Sequence, residues 1–281
     1  MYRLLMILFI LTSQFGFDRV QLADTKIEKV NLKLEENEIG ITFIDLTSGE
    51  ATLFQHGNGE NVLINSGGPN TNEQLENVLK MFNVTTIDML IITKADEQYM
   101  SNTNFLKNKF QVKKFVTGKN ILMKSNLRNE VDVEKWETWG LNEKVELLPH
   151  LFVHILHDNH VEHRHLGLDL KITFYKHNLL YMSSSDRKLE QYFLDKPLSD
   201  VNILKVPHFG DKSGTSKSFV DYVDPQVAII FRQKDEWPSQ DVIERLYQTW
   251  IDIYPLKQFG NISIKLDESL YEVIPLSFEY R

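Results

Sequence analysis

The 281-residue chain contains no cysteine. That absence excludes structural disulfides and thiolate metal sites, and it also excludes lipid attachment through an N-terminal cysteine. Glycine and proline are sparse, 13 and 8 residues, too few for a collagenous or low-complexity chain. Basic residues are outnumbered, 31 Lys and Arg against 39 Asp and Glu, for a net charge of −8. Phosphate backbones are held by clustered Lys and Arg, so the balance carries no strong nucleic-acid signal. Long apolar runs are missing too. The longest, Leu4 to Leu11, falls well short of the ~20 residues that span a bilayer.

That run follows Arg3 and gives way to Thr12-Ser13-Gln14 and the polar stretch from Asp24. A charged start, a short apolar core and a polar exit read as a signal peptide or N-terminal anchor over 1–23. A secreted or extracytoplasmic location is therefore expected. Membrane attachment, where the segment is retained, would run through it alone. Residues 24–37 are mixed and charged and read as a linker, with one domain over 38–281.

Within the domain, strands are expected at Ile39–Asp45, 51–54 and Asn61–Asn65, punctuated by Gly57-Asn58-Gly59. Leu75, Val78, Leu79 and Phe82 recur at helical spacing, which predicts a helix over 71–82. An apolar strand at 87–93 runs into the polar loop Lys94-Ala95-Asp96-Glu97-Gln98-Tyr99. Further strands are expected at 113–117, 145–148, 152–156, 168–174, 179–182, 201–206, 226–231, 253–255, 261–266 and 271–274. Helices are expected at 105–110, 219–223 and 242–250. The segment 119–143 shows no period. Hairpin-linked strands with helices after the interior ones imply an α/β (α+β) chain of two packed sheets covered on both outer faces.

The order of these motifs resembles the metallo-β-lactamase fold, an αββα four-layer sandwich, and more narrowly the soluble domain of ComEC-type DNA-uptake proteins and their stand-alone exported relatives. That family opens on F-L-D-V-G-Q-G-D, and Phe43 to Glu50 stands here. Its I-D-T-G is Ile64-Asn65-Ser66-Gly67, and its T-H-x-D-x-D-H loop is Thr93 to Tyr99. Its strand ending in G-D is Tyr181 to Asp186, and its L-K-V-x-H-H-G-S is Leu204 to Asp211. Its late His-Pro is Trp237-Pro238.

The resemblance implies metal-dependent hydrolase chemistry, but most metal-ligand positions are changed. Lys94 and Tyr99 replace histidines, Gln98 and Asn65 replace aspartates, and Phe209 and Trp237 replace later histidines. Asp96, Asp186 and His208 remain at ligand-type positions. A two-metal hydrolase needs several imidazoles and carboxylates around its ions, and an ammonium repels a dication. The expectation is an eroded site, with Lys94 replacing the metal among Asp96, Asp186 and His208. No cofactor is expected, and zinc is the ion a surviving site would take. The function expected is a non-catalytic or divergent member binding a ligand or partner, of unknown identity, at the former cleft.

The alternative is a phosphodiesterase- or nuclease-like hydrolase with a mononuclear site of Asp96, Asp186, His208 and His157. A third reading starts from the histidine-rich stretch His150, His154, His157, His160, His163 and His165. Imidazoles at this density bind transition metals, so the His150–His165 loop could itself act as a metal binder, through His160, His163 and His165.

Other features read as structural. Ser183-Ser184-Ser185 has no nucleophile elbow around it, and Asn65 to Gly68 is no P-loop. Trp237, Trp250 and Phe231 are expected in the core, and Lys107, Lys109, Lys113 and Lys114 on a solvated edge.

Overall fold

The computed structural model describes residues 29–124, 135–158 and 167–277. The N-terminal apolar run and His160, His163 and His165 lie outside them. Among the described residues no helix is long and apolar enough to cross a membrane.

Two mixed sheets face each other. The first orders its strands β15-β14-β1-β2-β3-β4-β5-β6, and the second β13-β12-β11-β10-β9-β8-β7. In the first, β1 (Ile39–Phe43), β2 (Thr52–His56) and β3 (Asn61–Ile64) form an antiparallel meander. Parallel strands β4 (Met89–Ile92), β5 (Lys114–Gly118) and β6 (Trp136–Trp139) extend it on one side. On the other side the C-terminal hairpin β14 (Asn261–Leu266) and β15 (Tyr271–Leu276) pairs with β1. The second sheet repeats the plan. β7 (Lys144–Leu148), β8 (Leu151–Asp158), β9 (Leu168–Phe174) and β10 (His177–Tyr181) are antiparallel. β11 (Ile203–Lys205), β12 (Val227–Ile230) and β13 (Asp252–Pro255) continue in parallel.

Parallel neighbours need a crossover, and helices supply it. Helix α1 (Asn72–Met81) buries Leu75, Val78 and Leu79, the residues whose spacing marked it in the sequence. Short helices α2 (Glu97–Met100), α3 (Thr103–Lys109) and α4 (Lys119–Lys124) follow β4 and β5. Over the second sheet, α5 (Arg187–Phe193), α6 (Lys217–Val223) and α7 (Gln240–Tyr247) cover Leu180, Leu204, Val206, Ala228 and Ile230 with Phe193, Phe219, Val220, Val242 and Leu246. The larger core fills the space between the sheets, with Ile41, Phe43, Ile64 and Ile91 meeting Ile172, Leu179, Ile203 and Ile229. Each buried side chain of this size contributes roughly 1.5–3 kcal/mol.

Three departures from the sequence reading matter. Residues 119–143 contain α4 and β6, an edge strand whose Trp136 and Trp139 are both buried although three positions apart and so on opposite faces, a spacing that announces no strand period. The stretch read as a linker is fastened down from residue 29. Val30 and Leu32 pack on the core, and the Val30 N–H donates to the Met81 carbonyl at 2.9 Å. Trp237 and Trp250 are surface residues, 63% and 95% exposed, while Phe231 is buried as expected. Trp237 sits in a turn after β12 and not on a strand, so the sheet never covers it.

Candidate functional site

The strand ends that meet at one edge of the sandwich build the site. β4 delivers Thr93 and Lys94, and the loop then closes as α2. Asp96 caps that helix in an extended conformation, with Oδ1 accepting from the Gln98 N–H at 2.9 Å. Behind Thr93 stands Asn65, held at φ 65, whose Oδ1 accepts from both the N–H and the hydroxyl of Thr93 at 2.9 and 3.0 Å. Its amide reaches the Tyr181 hydroxyl at 3.3 Å. This asparagine is a structural clip between the sheets.

Gly49 adopts φ 88, and a side chain there would strike the backbone of Gly67 at 2.7 Å. This tight passage sets Glu50 deep inside, with its N–H on the Gln98 carbonyl at 2.9 Å. Glu50 and Lys205 are both fully buried and form an ion pair. Lys205 shares a strand face with Ile203 on β11, so period 2 aims it between the sheets. Its ammonium also donates to the Met182 carbonyl at 2.8 Å. Three rings surround it, Tyr181 at 4.9 Å, Phe231 at 5.6 Å and Tyr99 at 5.9 Å from Nζ to centroid. Burial pushes the Glu50 carboxyl upward and the Lys205 amine downward, and their mutual attraction opposes both shifts. Burial and the Glu50 carboxylate together raise the pKa of the Tyr99 phenol.

Lys94 lies beside this pair, 3% exposed, with Nζ 5.2 Å from the centre of the Tyr99 ring. No described group accepts a hydrogen bond from it. Burial lowers its pKa; Asp96, Glu50 and Asp169 act in the opposite direction, and Lys205 adds to the lowering. Asp169 completes the network. One of its oxygens accepts from the N–H groups of Ser183 and Ser184 at 2.7 and 2.8 Å. The other lies 3.3 Å from His157 Nδ1. That nitrogen also stands 3.1 Å from the Gly167 carbonyl, which can only accept, so Nδ1 carries the proton. Burial pulls the His157 pKa down, but Asp169 and the Gly167 carbonyl outweigh it and the net shift is upward.

The structure thus gives Lys94 partners other than those the sequence suggested. Asp96 acts on it; the remaining carboxylates are Glu50 and Asp169. Asp186 instead caps α5, accepting from the N–H groups of Lys188 and Leu189 at 2.8 and 2.9 Å. His208 lines a shallower depression outside the network. Between the two stands Phe209, 7% exposed, its ring 6.1 Å from that of Tyr99. Glu50, Asp169 and Lys205 were missed as site residues. Glu50 and Lys205 both lie inside the quoted motifs, but their meeting across 155 residues of chain leaves no trace in either motif alone.

The histidine stretch is not one cluster. His150 sits in the turn before β8, stacked on Tyr175 at 4.8 Å, and His157 near the far end of that strand. Seven residues of strand separate them by roughly 23 Å. His154 lies between, its pKa lowered by burial and by Lys144 and Lys171. His160, His163 and His165 belong to the loop outside the described residues.

A zinc centre would need imidazoles and carboxylates converging on one point. Among the described residues no group of three or more His, Asp or Glu does so. What converges is two lysines, a tyrosine and carboxylates already committed to them. Lys94 Nζ has no hydrogen-bond acceptor, and the carboxylate oxygens without hydrogen bonds there, both of Glu50 and one of Asp169, lie by Lys205 and His157 and do not converge with a third ligand. The described residues do not fit a metal centre.

No family model matches the sequence, and no curated protein does. Solved structures do match. The metallo-beta-lactamase fold protein YhfI from Bacillus subtilis superimposes with a TM-score of 0.59 at 11% identity, covering 84% of this chain and 100% of its own. The CmlA beta-hydroxylase E377D mutant gives 0.57 at 12% identity, over 85% of this chain and 54% of that one. Zn(2+)-bound PqqB from Methylobacterium extorquens gives 0.52 at 12% identity, over 78% and 87%. At these identities the likeness fixes the fold.

Proposed function

We propose that this chain, which has the metallo-β-lactamase fold, is a non-hydrolytic member in which a lysine–carboxylate network stands where relatives hold metal, and which binds a ligand or partner at the mouth of the former cleft. Lys94 carries the reading. Its buried ammonium, next to that of Lys205, places two positive charges where a dication would have to sit. Coulomb repulsion between such charges in a dry interior amounts to several kcal/mol, and Lys205 cannot leave without abandoning the buried Glu50 carboxylate. The ordered motifs from Phe43 to Pro238 support a kinship with the soluble domain of ComEC-type proteins and their exported relatives. The apolar run after Arg3 supports export.

The test is the metal content of the full chain by inductively coupled plasma mass spectrometry, with thermal unfolding in the presence and absence of chelator. Substoichiometric zinc and an unmoved melting temperature are expected. One equivalent of zinc, lost in both Asp96→Ala and His208→Ala, would restore the hydrolase, and phosphodiesters would then be the substrates to assay. One equivalent lost only on removing residues 159–166 would transfer the function to the histidine loop.

A further inference from the structure

Two lysines lie buried near each other at the strand ends, and only one of them is tied. Lys205 Nζ has the Glu50 carboxylate and the Met182 carbonyl as acceptors. Lys94 Nζ has none among the described residues. It faces the Tyr99 ring, 5.2 Å from its centre, and feels the charge of Lys205. A protonated lysine carries a full charge and three N–H donors, and in such a place none of them is served. The free amine has no charge to desolvate and one donor fewer. Burial, the largest influence, and Lys205 favour that free form. Asp96, Glu50 and Asp169 act the other way through charge alone, and the net shift is downward. Glu50 is committed to Lys205, and Asp169 to His157 and the N–H groups of Ser183 and Ser184. The ammonium that keeps a dication out and the free amine are two protonation states of one side chain.

Lys94 also stands at the outer end of the network. Ala95 after it is exposed and Asp96 half-buried, whereas Lys205 ends a strand that is buried throughout. Lys94 keeps 3% of its surface and Lys205 none. A desolvated lysine beside a second cation is the arrangement that frees an amine for attack on carbonyl carbon.

We infer that Lys94 is a nucleophilic amine that captures a small neutral aldehyde as an imine, an activity beyond the binding function proposed above. The nitrogen lone pair forms the C–N bond while the carbonyl π pair moves to oxygen. That oxygen then leaves as water with the two amine hydrogens, and a C=N bond remains. No oxidant or reductant is consumed. The surroundings choose the class of carbonyl. Lys94 is almost covered, so a carbonyl carbon with one small substituent fits better than a ketone with two. An aldehyde that carries a carboxylate would meet Asp96 and Asp169 as like charges.

The full chain is incubated at pH 7 with acetaldehyde, and separately with glyoxylate, in the presence of cyanoborohydride, which reduces the imine to a stable secondary amine. Peptide mass spectrometry then locates and times the labelled lysines. Acetaldehyde is expected to label Lys94 at least about tenfold faster than the exposed Lys144 and Lys188, whose amines, with an ordinary pKa of ~10.4, are less than about 0.1% unprotonated at that pH. The Lys94 rate should level off at a lower pH than theirs, and Lys205 should stay unlabelled until urea unfolds the chain. Lys94→Met, its fold checked by circular dichroism, should lose the fast phase and keep the slow ones. Where that variant does not fold, the site map of the parent decides. Labelling of Lys94 no faster than that of the exposed lysines overturns the inference, as does a fast phase that survives Lys94→Met. A larger ratio of Lys94 to Lys144 labelling with glyoxylate than with acetaldehyde overturns the choice of a neutral aldehyde. Stoichiometric zinc in the same preparation with Lys94 still labelled fast would overturn the non-hydrolytic reading and leave this one standing; zinc-free protein with an unreactive Lys94 would do the reverse.

Discussion

Lys205 and His208 are three residues apart and obey opposite rules. Lys205 ends a strand, points between the sheets and is sealed with Glu50 under three aromatic rings. His208 opens a strained left-handed turn and faces an outer depression. Phe209 separates them. This chain closes the inner region with charge pairing and leaves the outer one open. The inner region should therefore answer to stability measurements and the outer one to binding.

The largest effect is expected inside. Lys205→Met leaves the Glu50 carboxylate buried without its counter-charge, and urea denaturation should show a loss of about 3–5 kcal/mol. Combining it with Glu50→Gln should recover much of that, since the stranded charge is gone. A single-mutant loss under about 1 kcal/mol would mean that water already reaches the pair and that the contrast with the outer cleft is false.

Phe209→Ala comes next. Truncating a buried phenylalanine costs about 3–5 kcal/mol, less where the site can collapse. Glycine removes the same ring and also relieves the left-handed backbone. Phe209→Gly should therefore be less destabilising than Phe209→Ala by about 1 kcal/mol. Equal losses would remove the strain from the account of the turn.

His157 links the network to pH. Its folded pKa lies above the ordinary imidazole value, so the native state holds the proton more tightly than the unfolded chain. The stability this gives is complete below pH 6.5 and disappears as pH rises through the folded pKa. Stability should fall from pH 6.5 upward, and His157→Gln should flatten that slope. An unchanged slope in the variant would assign the titration elsewhere.

Smaller effects sharpen the assignment of the acids. Asp186→Ala should cost about 1 kcal/mol, the loss of a helix N-cap, with no change in metal content. A change in metal content would return Asp186 to the ligand set. Trp237→Ala should stay within about 0.5 kcal/mol of the parent, as surface substitutions do. That intact fold is the reverse of what Lys205→Met should give.

Much of the frame was legible in the sequence. Short apolar, β-branched runs marked β1, β4, β9 and β12, and apolar residues at helical spacing marked α1, because a buried face demands apolar residues whatever the partner. The polar loop after β4 was legible as a candidate site, and its lysine as an unusual neighbour for an ion, because charge belongs to the residue itself. The sequence also determined that no thiolate or disulfide could take part. What only the tertiary structure decided was which charges meet. Glu50 finds Lys205, and Asp169 finds His157 and the N–H groups of Ser183 and Ser184, through sheet pairing and the facing of two sheets. Asp186 turns to cap a helix, and Trp237 stays outside because its turn leaves the sheet. Local periodicity is a property of a segment, whereas an ion pair depends on distance in space, and that distance is set only when the two sheets close on each other.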